Sequence, residues 1–290
     1  MRAVKFKTSA LLLFYLLSAP AFGQDKIGTN QNNSNLSIVI NYISDAVFMG
    51  RKDSISAPYL YPSILYHHKS GLYVKGSLSY LTKSNENRID LYLLTTGFDF
   101  NFEKFYGDIS ATKYFFNDNS YTVISKVDAD ITASFLYDFK IINISLAASS
   151  YFSKNSNFDF FLSSEISHDF ITSDKSFQIS PTAGIYFGSQ NFYEEYYSNN
   201  RFGSRSGHGY GSDNNIEITT EVVIQESENF DIMAIEFSLP MWYTDKSFTF
   251  LFLPALVIPQ NEATITVDET IFKENLKETF YWMIGVNYKF

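Results

Sequence analysis

The chain has 290 residues, 22 Lys and Arg against 31 Asp and Glu, and no cysteine. Without thiols there is no disulfide scaffold and no thiolate chemistry, and an acidic chain with no Lys/Arg-rich run lacks the clustered cations that phosphate binding needs, so nucleic acid is not an expected partner. The length suits one large β-domain or two ordinary ones, and a mean hydropathy of −0.10 with 18% aromatics points away from long apolar helices.

Residues 1–23 read as a secretory signal peptide. Arg2, Lys5 and Lys7 form the positive start, residues 10–17 the apolar core, and Ala21-Phe22-Gly23 a small-x-small cleavage site ahead of Gln24. The apolar core is shorter than the roughly 20 residues a spanning helix needs. Removing those three cations leaves 19 basic residues against 31 acidic. Residues 24–35 are polar and Asn-rich and form a loose tail.

From residue 36 onward, amphipathic strands follow one another: 36–48, 58–66, 72–81, 88–100, 105–115, 127–137, 141–152, 158–170, 177–187, 230–243, 248–258 and 279–290. In the cleanest, Val127, Ala129, Ile131, Ala133, Phe135 and Tyr137 alternate with Asp128, Asp130, Thr132 and Ser134, a period of two. Aromatics (Phe105, Tyr137, Phe139, Phe152, Phe158, Phe170, Phe177) gather at strand ends, while Ile, Leu, Ala and Val fill the middles of the apolar faces. A soluble sandwich would concentrate its rings mid-strand; aromatic girdles flanking an aliphatic band fit a lipid-facing wall. Short connections at 68–71, 101–104, 138–140, 171–176 and 244–246 alternate with connections that are often longer, at 49–57, 82–87, 116–126, 153–157, 188–229 and 259–277. Short periplasmic turns and longer outer loops show this asymmetry.

The last strand places Phe280, Trp282, Ile284, Val286, Tyr288 and Phe290 on one face and ends on an aromatic. It resembles the C-terminal targeting strand of Gram-negative outer-membrane β-barrel proteins, with Phe290, Tyr288, Val286 and Ile284 at the matching positions, and the chain looks like a porin. The resemblance implies that the outer-membrane assembly machinery reads these four residues, and that the protein resides among outer-membrane lipids.

The expected fold is therefore all-β: a single transmembrane antiparallel barrel of about 12 strands over residues 36–290, with a long external loop at 188–229. A 14-stranded barrel is the alternative. Residues 216–224 alternate like a strand and are assigned to a ribbon in the external loop; a further crossing within 259–277 would give fourteen. Pro181, Pro240 and Pro254 fall inside proposed strands, where a missing donor predicts a bulge or a strand end.

With the apolar face outward, the candidate bore-facing residues are Asp45, Lys75, Asp108, Asp128, Asp130, Asp159, Glu165 and Glu236, seven acids and one base, and Tyr73, Tyr106, Tyr151 and Tyr186 also point inward. A carboxylate-lined passage would favour cations; the same acids could simply solvate the interior. Arg201 and Arg205, in a Gly/Ser-rich loop, are candidates to fold back and gate such a bore. The expected function is passive passage of small hydrophilic solutes, with neither catalytic residues nor a cofactor or metal ion. A non-conducting barrel displaying its loops for adhesion or docking is the second reading. An outer-membrane lipid hydrolase using Ser164 and His168 is the third, weakened by their separation along one strand and by the lack of a group to orient the histidine.

Overall fold

The computed structural model describes residues 33–52, 56–83, 87–117, 120–122, 124, 127–153, 158–192, 222–225, 227–267 and 270–290. The signal segment, most of the tail, and Arg201 and Arg205 lie outside these residues.

Twelve antiparallel strands close on themselves: β1 (Asn35–Ile43), β2 (Tyr59–His67), β3 (Leu72–Leu81), β4 (Arg88–Phe102), β5 (Phe105–Phe116), β6 (Val127–Asp138), β7 (Asn143–Ser153), β8 (Asp159–Ser167, continued by Phe170–Ile171), β9 (Phe177–Ile179 with Thr182–Gly188), β10 (Asp231–Ser238 with Met241–Asp245), β11 (Phe248–Pro259) and β12 (Thr279–Lys289). Each pairs with its sequence neighbours, and β12 returns to β1 in the register Ile38↔Tyr288 to Ile43↔Met283. The amide of Phe290 bonds the Leu36 carbonyl at 3.0 Å, so the terminal aromatic sits at the closing seam. Val222–Ile224, Thr264–Val267 and Thr270–Lys273 form a separate three-stranded sheet rather than further staves of the barrel. The count is twelve, and the segment 259–277 holds a hairpin outside the barrel wall.

The alternation resolves as outward apolar and inward polar. Ile64, Leu94, Ile109, Ile131, Leu146, Ile166, Phe252 and Ile284, from eight different strands, are all exposed, as a lipid-facing band would be. Exposed rings flank this band, with Phe102, Tyr137, Phe139, Phe170 and Phe248 at the end with short turns and Tyr92, Phe115, Phe152, Phe158 and Phe280 at the other. Every short turn contains one residue at positive φ: Gly71 (94°), Glu103 (52°), Lys140 (75°), Lys175 (62°) and Lys246 (54°). The left-handed residue gives a tight hairpin the twist its strands need.

Two of the three prolines stand at strand breaks as expected, Pro181 between Ile179 and Thr182 and Pro240 between Ser238 and Met241, while Pro254 does not. The ladder is interrupted at Pro181 and Pro240, yet the register on either side is unchanged: Gln178 faces Trp242 and Thr182 faces Ser238 without an inserted residue. Pro254 lies within β11, opposite Trp282, and its carbonyl accepts the Leu239 amide at 3.0 Å. Each proline removes one donor but keeps its extended backbone, so the neighbouring pairs hold the register. Pro240 cannot donate to the Ser180 carbonyl, and the Thr182 hydroxyl donates to that oxygen instead, at 2.9 Å. True irregularities occur between Ser79 and Tyr80, Val127 and Ala129, and Tyr186 and Phe187, all towards the long-loop rim, where bulges end or re-aim strands.

Replacing Ile131 with Arg puts a charge in the middle of the outward band. Unfolding of protein refolded into phospholipid vesicles, followed in denaturant, is expected to show a loss of about 2–4 kcal/mol; an unchanged stability would contradict the outward orientation of that face.

Candidate functional site: the bore and its plug

The bore has two halves. Towards the short turns it is lined with hydroxyls and charged groups: Ser63, Lys75, Thr95, Asp108, Ser110, Thr112, Thr132, Ser145, Glu165, Ser180 and Glu236 face inward and are buried. Hydroxyl pairs bridge adjacent strands, Thr95 to Thr112 at 3.1 Å and Thr132 to Ser149 at 2.7 Å. Towards the long loops the inward residues are apolar or aromatic, and Tyr59, Leu81, Leu91, Tyr151, Phe161, Met233, Leu253, Val257, Tyr281 and Met283 belong to one continuous core.

Four of the acids in this interior accept hydroxyl protons. Tyr186 donates to Glu165 Oε1 at 2.7 Å and Tyr281 to Glu236 Oε2 at 3.1 Å. Tyr114 donates to Asp130 Oδ2 at 2.8 Å, and Thr132 to its other oxygen at 2.7 Å. Tyr59 donates to Asp90, which also pairs with Arg88 at 2.6 Å. Glu165 and Glu236 both lie opposite Gly184, one on each neighbouring strand, so the small residue leaves the two carboxyls facing a shared space. A buried carboxylate is costly without such partners, and aromatic residues carrying a hydroxyl supply both bulk and donor.

The structure distributes the sequence-derived candidates unevenly. Lys75, Asp108, Asp130, Glu165 and Glu236 face the bore. Asp159 also points inward, but it works as a local cap, accepting the Ser189 hydroxyl at 2.7 Å and the amides of Asn191 and Phe192 at 2.8 and 2.7 Å. Asp45 is not on a strand: β1 ends at Ile43, and Asp45 closes the base of the following loop, accepting the Ala57 amide at 2.9 Å and pairing with Lys52 at 2.6 Å. Asp128 requires correction. The irregularity between Val127 and Ala129 turns its side chain out of the bore, where it pairs with the outward Lys113 at 3.4 Å. Ser164 faces Leu146 and Ile185 across its two seams, and the His168 ring contacts the Ile141 carbonyl and packs edge-on against Phe170. The pair has no hydrogen bond to each other among the described residues.

Sequence reasoning missed the feature that closes the long-loop mouth. After β1, residues 44–52 turn inward, with Met49 and Gly50 at positive φ (49° and 76°) making the tip. Phe48 enters a ring box, 5.9 Å from Tyr151, 5.3 Å from Phe161 and 5.2 Å from Phe192. Tyr151 and Phe161 belong to β7 and β8, on the opposite side of the ring from β1 and β2, so the loop crosses the mouth. A Cβ on Gly50 would lie 2.8 Å from the Pro259 side chain, so only glycine allows this approach. The Arg51 side chain is wholly buried and donates to the carbonyls of Met49 (3.2 Å), Met233 (3.5 Å), Gln260 (3.3 Å) and Asn261 (2.7 Å), with Glu274 at 3.6 Å. An apolar run, residues 46–49, ending in glycine inside an otherwise polar connection was the available signal; the strand pattern absorbed it as part of β1.

A closed antiparallel ring, apolar outside and polar within, is the arrangement of a transmembrane β-barrel, because hydrocarbon offers backbone groups no partner and an open sheet edge cannot survive there. No protein-family model matches the chain, nor does any curated protein. Among solved structures the chain is similar to one described as KdgM porin (11% identity, TM-score 0.48, 88% of this chain and 99% of the other). It is similar also to the NanC porin (11%, 0.48, 88% and 100%) and to LpxR from Salmonella typhimurium (9%, 0.43, 87% and 99%).

Substituting Tyr281 by Phe removes the hydroxyl that Glu236 receives. A double-mutant cycle with Glu236→Gln is expected to return a coupling of about 1–3 kcal/mol in unfolding free energy; a coupling near zero would mean that the two side chains do not meet in the folded barrel.

Proposed function

We propose that this protein is a porin-type barrel of a Gram-negative outer membrane, giving passive, non-enzymatic passage to small hydrophilic solutes, and that the conformation described is its closed state. The observation that carries this reading is the polar half of the bore. Hydroxyl and charged side chains from most of the strands give that half a polar lining, the chemistry that hydrophilic solutes need. An inert barrel core could be filled with apolar side chains at lower cost. Residues 1–23 would direct export with cleavage near Gly23, and Phe290, Tyr288, Val286 and Ile284 would be read by the assembly machinery. The closing seam at β12 is consistent with that use of the last strand.

Cation preference is a corollary of the proposal. Asp108, Asp130, Glu165 and Glu236 face the bore against Lys75, and carboxylates in a low-dielectric passage concentrate counter-ions. A second reading, a non-conducting barrel that displays its loops, is favoured by one observation: with the loop docked, most inward side chains of both halves are buried.

Refolded protein in a planar bilayer separates the two. Stepwise conductance is expected for the pore, and its absence at any voltage would leave the display barrel. If the barrel conducts, Glu165→Gln with Glu236→Gln is expected to move the cation-to-anion permeability ratio towards unity, while Asp128→Asn, outside the bore, leaves it unchanged. A ratio insensitive to the paired substitution would contradict the cation corollary.

A further inference from the structure

We propose that residues 44–52, the inward turn that follows β1, are the gate of the bore and that Arg51 is its latch: release of the guanidinium from the far rim lets the turn swing out and opens the passage. This inference rests on the channel reading above and names the element that regulates it. The sequence had pointed to the long loop 188–229 and its two arginines; the geometry points to the first loop.

Three observations support a gate rather than a fixed filling. First, the loop is hinged at one place. β1 ends with the Ser44 amide on the Trp282 carbonyl at 2.9 Å, and β2 begins beside the bond from the Thr82 amide to the Pro58 carbonyl at 3.0 Å. Asp45 ties the two ends together through the Ala57 amide and Lys52. The base can therefore keep its shape while the tip moves.

Second, the loop's backbone bonds close upon themselves, Phe48 amide to Arg51 carbonyl and the reverse, both at 2.8 Å. Across the mouth the Phe48 ring and the Arg51 guanidinium hold it, together with the buried Val47 and Met49 side chains. Moving the tip therefore leaves the β1–β2 and β1–β12 ladders intact. A wall that keeps its ladder when the loop leaves can remain closed in lipid, as it must.

Third, the latch and the stopper sit on different elements. Phe48 packs against β7, β8 and Phe192, whereas Arg51 reaches carbonyls at Met233 on β10 and at Gln260 and Asn261 just past β11, with Glu274 beyond the hairpin. A planar guanidinium with five donors suits a site made largely of carbonyl oxygens. Removing it would leave those oxygens and Glu274 facing each other without a cation, which disfavours the docked loop specifically.

The test uses the mature barrel refolded into planar bilayers, comparing wild type, Arg51→Ala, and a variant in which residues 45–57 are replaced by a short Gly-Ser turn; heat-modifiable electrophoretic mobility reports that each has formed a barrel. Wild type is expected to open rarely, Arg51→Ala at least tenfold more often, and the loop replacement to stay open. If the replacement conducts continuously while Arg51→Ala matches wild type, the latch assignment is overturned. If wild type is already as open as the replacement, the gate is overturned and the pore reading stands. If none of the three conducts, the channel reading itself falls, and the gate with it. Should Arg51→Ala fail to form a barrel, Glu274→Gln provides the same comparison, weakening the latch without removing the guanidinium.

Discussion

Every feature of this protein depends on the need to pair backbone amides and carbonyls where no water can reach them. In hydrocarbon each unpaired group costs several kcal/mol, so a sheet must end where it began. That is why β12, the last strand, lies against β1, the first, and why the proline-containing strands β9, β10 and β11 keep a continuous register across their prolines. It also explains the placement of the Thr182 hydroxyl, which serves the carbonyl that Pro240 leaves without a donor.

Closure with apolar side chains outside forces the polar half of the alternation inward, and the interior must then satisfy its own charges. Tyrosine does much of this. Its ring occupies volume in a narrow bore, and its hydroxyl donates to a carboxyl on an adjacent or nearby strand, as in the pairs Tyr186–Glu165, Tyr281–Glu236 and Tyr114–Asp130. The polar lining is thereby ordered rather than merely wet. Above it the interior turns apolar, and the first loop adds Phe48 to that core.

Much of the fold was legible in the sequence because the physics is local: a period of two, rings at strand ends, turn residues between. Glu236 could be assigned inward because Ile235 and Phe237 on either side had to face out. Asp128 could not be placed correctly, since one extra residue at the start of β6 flips every side chain before it and leaves no trace in the alternation. The inward turn at 44–52 was illegible for another reason. Its partners, Tyr151, Phe161, Met233 and Asn261, lie between about 100 and 210 positions away in the chain, and periodicity carries no information about contacts across a ring. The Arg51 latch and the Tyr59–Asp90 pair belong to the same class.

The central claim is that alternate side chains look out into lipid around a closed ring. The chain has no cysteine, so single cysteines at positions 130 to 135 can each carry a nitroxide label without competing thiols. With the barrel in phospholipid vesicles, labels at 131, 133 and 135 are expected to be readily relaxed by dissolved oxygen and shielded from a water-soluble nickel complex. Labels at 130, 132 and 134 are expected to be poorly accessible to oxygen. Loss of that period of two, or its reversal with the apolar positions shielded from lipid, would contradict the account.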